Sequence, residues 1–375
     1  MKRIISIICS LLCTSIAYLA KAQDPQFSQT FNAPQYLNPA LVGGEQLTRV
    51  GLNHRGQWLG MPGYFISTMA SVDAYIQPIG RGSNSALRNL GVGGFILNDV
   101  SGGAGLVRNH AAATFSCEFA LTDRLAFRTG GQVGFGQQTI NFSKLVFGDM
   151  ISTTGLTGLP SQEGLAGSQT IIYPEIAWGG MLYSPSFQFG LSLHHLNQPN
   201  ISFIGDRATL PIRFTAHTSW IIPILLSQDK RKAPLQYVKP FIMYRRQGVY
   251  DQFDAGANVM LDPIVLGLWY RGLLLKQEGR TWNNQDAICL YFGVNWGDFE
   301  FGTSYDVTVS RLDPATTGGS YEISLRYLIG KSQVRNINGF TASGDRGTSC
   351  PSWSNPLKRN KNPWNRNRSY QPKRW

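Results

Sequence analysis

The residues of this 375-residue chain best suited to bind a metal or move a proton are His54, His110, His194, His195 and His217. Each falls on or beside a segment that reads as strand. None stands at a local metal-ligand or nucleophile spacing with Cys, Asp or Glu. Neighbouring side chains on an extended chain point to opposite faces, so His194 and His195 are expected to be unable to share one metal. A Ser, His and acid would have to meet across strands to make a hydrolase, and no local spacing displays them. The glycine runs Gly91–Gly94 and Gly102–Gly105 precede no helix, so they suit close packing or turns better than a phosphate loop. Cys117 sits on the apolar face of its segment and Cys289 on the polar face of its own, which argues against a disulfide between them, and Cys350 lies in the tail. The expectation is a non-enzyme with no catalytic residue, metal or cofactor.

The segments that carry these residues alternate apolar and polar types with period two. Phe299, Phe301, Thr303, Tyr305, Val307 and Val309 form one face, and Glu300, Gly302, Ser304, Asp306, Thr308 and Ser310 the other. Before them Ile288, Leu290, Phe292, Val294 and Trp296 alternate with Cys289, Tyr291 and Asn295. After them Tyr321, Ile323, Leu325 and Tyr327 alternate with Glu322, Ser324 and Arg326. Segments of about ten residues match a tilted membrane strand. Trp296, Tyr321 and Tyr327 would then sit in interfacial girdles, and a wet lumen would hydrate Glu322 and Arg326.

The termini set the compartment. Lys2 and Arg3 precede an apolar run from Ile4 to Leu19 and a small-x-small site at Ala20-Lys21-Ala22, so residues 1–22 read as a signal peptide and the mature chain starts near Gln23. Leu12 before Cys13 is too large for a lipidation site. No later apolar run is long enough for a membrane helix, which leaves a closed barrel as the way to satisfy the backbone in lipid. The net charge of +12 divides into +3 from the leader and +9 from residues 331–375, leaving the body neutral. A neutral secreted body speaks against nucleic-acid binding, which needs cations spread over a folded face.

Taken in order, residues 23–47 hold Phe27, Tyr36 and Asn38-Pro39-Ala40 followed by Gly43-Gly44, an irregular segment expected to form an ordered plug or periplasmic collar. Strands are expected at about 48–58, 64–76, 90–98, 106–121, 124–139, 170–183, 186–196, 210–222, 237–246, 250–261 and 264–273, then the three already described. The fold class is therefore all-β: a transmembrane antiparallel β-barrel of about 14 strands over residues 48–330, with outer-membrane lipid around it. Short turns fall after even-numbered strands, at Thr122-Asp123, Ser184-Pro185, Asp262-Pro263 and Gly297-Asp298, as on the periplasmic side of such barrels. Connections near 77–89 and 223–236 are longer than that rule predicts.

The order and spacing of several short motifs resemble the PorP/SprF family of Bacteroidota outer-membrane proteins. They are Phe27-Ser28-Gln29, Tyr36, Asn38-Pro39-Ala40, Arg55-Gly56-Gln57-Trp58, Leu97-Asn98-Asp99, Gly190 to Leu196, Trp269-Tyr270-Arg271, Ser304-Tyr305-Asp306 and Tyr321 to Leu325. The resemblance covers roughly residues 23–330. It implies an outer-membrane component of type IX secretion and its gliding machinery that assists export or surface retention of adhesins. It also implies contacts with other components of that system, a secreted adhesin client and a periplasmic peptidoglycan-associated protein. The alternative is passive transport of an apolar nutrient, as in fatty-acid transporters, which also have about fourteen strands and an N-terminal hatch. A continuous apolar lumen would favour transport, and a plugged one an assembly factor.

Residues 331–375 lie beyond the resemblance. Lys358, Arg359, Lys361, Trp364, Arg366, Arg368, Lys373, Arg374 and Trp375 interleave cations with aromatics among four prolines, Pro351, Pro356, Pro363 and Pro372. Such a composition cannot bury a core, so a disordered periplasmic tail is expected, either a solvated tail that discourages aggregation or a segment able to dock on an anionic partner.

Overall fold

The computed structural model describes residues 24–329 apart from 45–46, 62, 77–86, 103–104, 123–124, 154, 160, 163–164, 166, 225–235, 273–284 and 310–316. The leader and the basic tail, with Cys350 and all nine docking residues proposed there, lie outside the described residues.

Fourteen long strands close into one antiparallel barrel. They are β1 (Thr48–Gln57), β2 (Phe65–Ile76), β3 (Leu87–Ser101), β4 (Leu106–Ala120), β5 (Ala126–Asn141), β6 (Ser168–Tyr183) and β7 (Phe187–His194), then β8 (Arg213–Trp220), β9 (Gln236–Gln247), β10 (Tyr250–Leu261), β11 (Ile264–Gly272), β12 (Gln285–Trp296), β13 (Phe299–Thr308) and β14 (Ser320–Ile329). Each strand pairs with its sequence neighbours, and β1 closes the ring on β14 from Thr48↔Ile329 to Gln57↔Ser320. β8 and β9 pair from Arg213↔Gln247 to Ser219↔Phe241. No sheet edge is left among these strands, which is what lipid requires of a spanning structure. No helix among the described residues is long and apolar enough to cross a membrane, which says nothing of strands.

The period-two pattern becomes two chemically different surfaces. Ile288, Leu290, Phe292, Phe301, Tyr305, Ile323 and Tyr327 face outward and are exposed, while Cys289, Tyr291, Glu300, Ser304, Asp306, Glu322 and Arg326 face inward and are buried. Trp296 is 73 % exposed and Ile172 71 %, and with the other outward-facing apolar side chains they form a contiguous apolar face of the kind lipid covers. Cys117 is outward and Cys289 inward and buried, as their faces imply.

The wall is uneven in height. β5 and β6 have 16 residues each, β7 and β8 only 8. At the tall end the outward-facing Thr139 and Thr170 hydroxyls bond to each other at 2.9 Å, a polar pair suited to the zone above the hydrocarbon. The connection over residues 142–167 begins there. Within its described residues Phe142 packs on Phe147 and Phe203, and Asp149 accepts bonds from Ser161 and from the Gln162 amide.

Candidate functional site

The lumen holds residues 24–44, which run from one end of the barrel to the other. Their conformation is set by short signals. Pro34 begins a single helical turn, Pro34–Leu37, and Pro39 begins a 3-10 turn, Pro39–Leu41. Asn38 caps that second turn, its Oδ1 accepting from the Ala40 amide at 2.9 Å. Gly43 has φ +64°, a left-handed conformation that glycine adopts without strain.

Three groups of buried charge fasten this segment. At its start Asp24 receives Arg108 at 3.1 Å, Arg213 at 2.9 Å and His195 at 2.6 Å, and His195 leads on through Glu175, 3.2 Å away, to His110, whose Nε2 is 2.7 Å from Glu175. Burial alone would raise the Asp24 pKa, yet His195, Arg213 and Arg108 outweigh it and hold the carboxyl well below the usual aspartate range.

Four residues on, the Ser28 amide donates to Glu322 at 2.6 Å and its hydroxyl to Asp306 at 2.5 Å. Arg55 and Arg271 converge on Asp306 at 2.8 and 3.0 Å, and Arg271 also reaches Asp254. Gln29 bonds Ser304 and the Glu322 carbonyl, and Asn32 bonds Ser324.

At the far end the Gly43 amide donates to Asp73 at 2.8 Å, and Asp73 holds Arg49. The Val42 carbonyl accepts from Arg128 at 2.5 Å and from Ser116 at 2.7 Å, while Arg128 also pairs with Glu118. Gly91 makes room here, since a Cβ at that position would strike the Val42 carbonyl and the Ser116 hydroxyl.

The five segment residues singled out in the sequence are all buried in this arrangement. Phe27 meets Tyr36 edge to face at 5.7 Å, Tyr36 meets Phe95 at 6.1 Å, and the Arg213 guanidinium lies 4.3 Å over the Tyr36 ring. Asn38 donates to the carbonyls of Leu191 and Gly180 and lies 3.1 Å from His217 Nε2. Pro39 and Ala40 press against Gly130, where a Cβ would collide with their backbone. Of the polar residues that do most of the fastening, Ser28 and Gln29 lie in the Phe27-Ser28-Gln29 motif, while Asp24, Asn32 and Gln35 carry no motif of their own. The available signal is that each is polar yet lies in a segment otherwise marked for order by Phe, Tyr and Pro.

Two expectations need correction. Glu322 and Arg326 are not left to a wet lumen: Glu322 is 0 % exposed and bound to Ser28, and Arg326 is paired with Glu300. The alternation argument for His194 and His195 also fails, because His195 leaves β7 with φ 57° and both rings turn inward, 6.5 Å apart and buried. β7 accordingly stops at His194 rather than near 196. Of the other histidines, His110 and His217 are inward and buried, and His54 faces outward with its Nδ1 2.9 Å from Thr68 Oγ1. Among the described residues no group of three or more His, Cys, Asp or Glu side chains is placed to hold a metal ion.

A family model described as type IX secretion system membrane protein PorP/SprF matches residues 19–327. No curated protein matches the chain. Among solved structures, the outer membrane protein Omp33 of Acinetobacter baumannii is similar with a TM-score of 0.41 and 8 % identity, covering 76 % of this chain and 100 % of that one. A FadL homologue of Pseudomonas aeruginosa gives 0.42 and 9 %, covering 79 % and 94 %. A monoaromatic hydrocarbon channel, the TodX deltaS2S3 mutant, gives 0.39 and 11 %, covering 79 % and 93 %. At such scores the barrel assignment stands on the strand pairing of this chain and not on these likenesses.

Proposed function

The chain belongs to the PorP/SprF family of type IX secretion system membrane proteins, and from that premise we propose that this outer-membrane barrel assists export or surface retention of adhesins without itself conducting them. The observation that carries this reading is the fastening of residues 24–44 to strands around the lumen by the buried ion pairs of Asp24 and by hydrogen bonds from Ser28, Gly43 and Val42 to buried charged side chains. A segment held in this way acts as a plug, and a plugged barrel works through its two rims. The outer rim, with the connection over 142–167, would meet a secreted adhesin client. The inner rim and the basic tail, periplasmic in this reading, would meet other secretion components and a peptidoglycan-associated protein of the motor. Lys358, Arg359, Lys361, Trp364, Arg366, Arg368, Lys373, Arg374 and Trp375 supply charge and aromatic area for that contact, which salt should weaken.

The rival reading, passive uptake of an apolar nutrient, asks for a greasy path, and the inward surface here carries Arg55, Arg108, Arg128, Arg213, Arg271, Asp306 and Glu322 instead. A deletion strain separates the two. Loss of one or a few large adhesins from the surface, with small-solute uptake unchanged, is the expected result. Normal adhesin display with impaired uptake of an apolar nutrient would replace this proposal by the rival.

A further inference from the structure

The direction of the luminal segment has a topological consequence. β1 starts, and β14 ends, at the end of the barrel where the short turns at 184–186, 262–263 and 297–298 lie, which is the periplasmic end. Gly43 and Val42 are fastened near that end, by Asp73, Arg128 and Ser116. Asp24 is fastened at the other. Its partner Arg213 is the first residue of β8, Arg108 is two residues from the outer start of β4, and His195 follows the last residue of β7. The Asp24 amide donates to Gln247, the last residue of β9, at 3.1 Å. Below Asp24 the lumen is filled by Phe27, Tyr36 and His194, with the Tyr36 hydroxyl bonded to the Pro25 carbonyl at 2.8 Å.

We propose that the mature amino terminus is presented at the extracellular mouth of the barrel, so that the chain enters β1 from the periplasm only after having run down the whole lumen from outside. Chain preceding Asp24 has its way downward blocked by Phe27, Tyr36 and His194, which leaves the outer mouth as its exit. The same geometry orders two events. With residues 1–22 attached, seating Asp24 would push the apolar run Ile4 to Leu19 through the outer mouth into water, so the segment docks after the leader is cut.

A short epitope inserted between Gln23 and Asp24 and a second one appended after Trp375 test this in separate strains. On intact cells, antibody binding to the first is expected to equal its binding after permeabilisation, while the second gains its signal only on permeabilisation. Heat-dependent gel mobility verifies that each barrel is folded. Because the insertion itself could unseat the segment, an untagged chain carrying Gln23→Cys and Gln247→Cys, which keeps the Asp24 ion pairs, is treated with a short thiol-to-thiol cross-linker, and peptide mapping is expected to find the two joined. An amino-terminal tag reached only after permeabilisation overturns the proposal, and so does the absence of bridging in a folded barrel. Neither outcome bears on adhesin display, which tests the proposed function separately.

Discussion

The outside and the inside of this barrel are built from the same strands by different rules. On the outside Leu290 or Phe301 meets lipid, and any apolar side chain of similar size would serve. On the inside Asp306 is matched to Arg55, Arg271 and Ser28, residues that come from three distant parts of the chain. The first surface is specified by residue type and the second by partnership. The difference predicts where the protein tolerates change, because a lost partner strands a charge in a dry interior while a trimmed apolar group loses only contact area.

That contrast can be tested in order of expected effect. Arg271→Ala leaves Asp306 and Asp254 short of a cation and should cost about 3–5 kcal/mol, read as a fall in the urea midpoint of the barrel in liposomes. Leu290→Arg, which puts a charge on the lipid face at mid-strand, should cost about 2–4 kcal/mol in the same assay. Were Leu290→Arg harmless, the outer surface would be facing something other than hydrocarbon. Asn38→Ala removes bonds to two strand carbonyls and the cap on Ala40, an expected loss of about 1–3 kcal/mol that should appear as faster proteolysis of residues 24–44. Leu290→Val should cost about 0.8 kcal/mol or less, since it deletes one methylene from a lipid contact. Mild acid should do least of all. The Asp24 pKa is depressed in the folded state, so its stabilisation is complete above the ordinary aspartate value of about 4 and fades only as pH falls through the lowered value. Protection of the segment should therefore persist at a pH of about 5, and its release there would show that Asp24 is not held as described.

The two rules also divide what could be read from the chain alone. Alternation located every strand to within a few residues, and β10 (Tyr250–Leu261) to the residue, because the lipid face repeats a local pattern. Asn38-Pro39-Ala40 marked the segment for order through turn chemistry that is likewise local. The buried pairings did not show themselves, since the ion pair of Asp24 with Arg108 and the hydrogen bond of Ser28 to Glu322 join residues 84 and 294 positions apart. Glu322 and Arg326 looked like side chains hydrated in a lumen because sequence gives the face and not what fills it. His195 escaped for a related reason: period two holds only while the backbone stays extended, and one residue at φ 57° broke it.

Ser28 and Gln29 bind Glu322 on β14, while Arg55 on β1 bridges Ser28 and Asp306, so the segment sits astride the junction where the first strand meets the last. In kinetic terms this is a contact of extreme sequence separation, formed against a large loop-closure entropy and therefore late. Ser28 and Gln29 wait for the last strand to be made, and until it arrives they have no Glu322 to bind. A chain truncated before residue 320 would thus fail twice, once for want of a closing strand and once because Ser28 and Gln29 have lost Glu322.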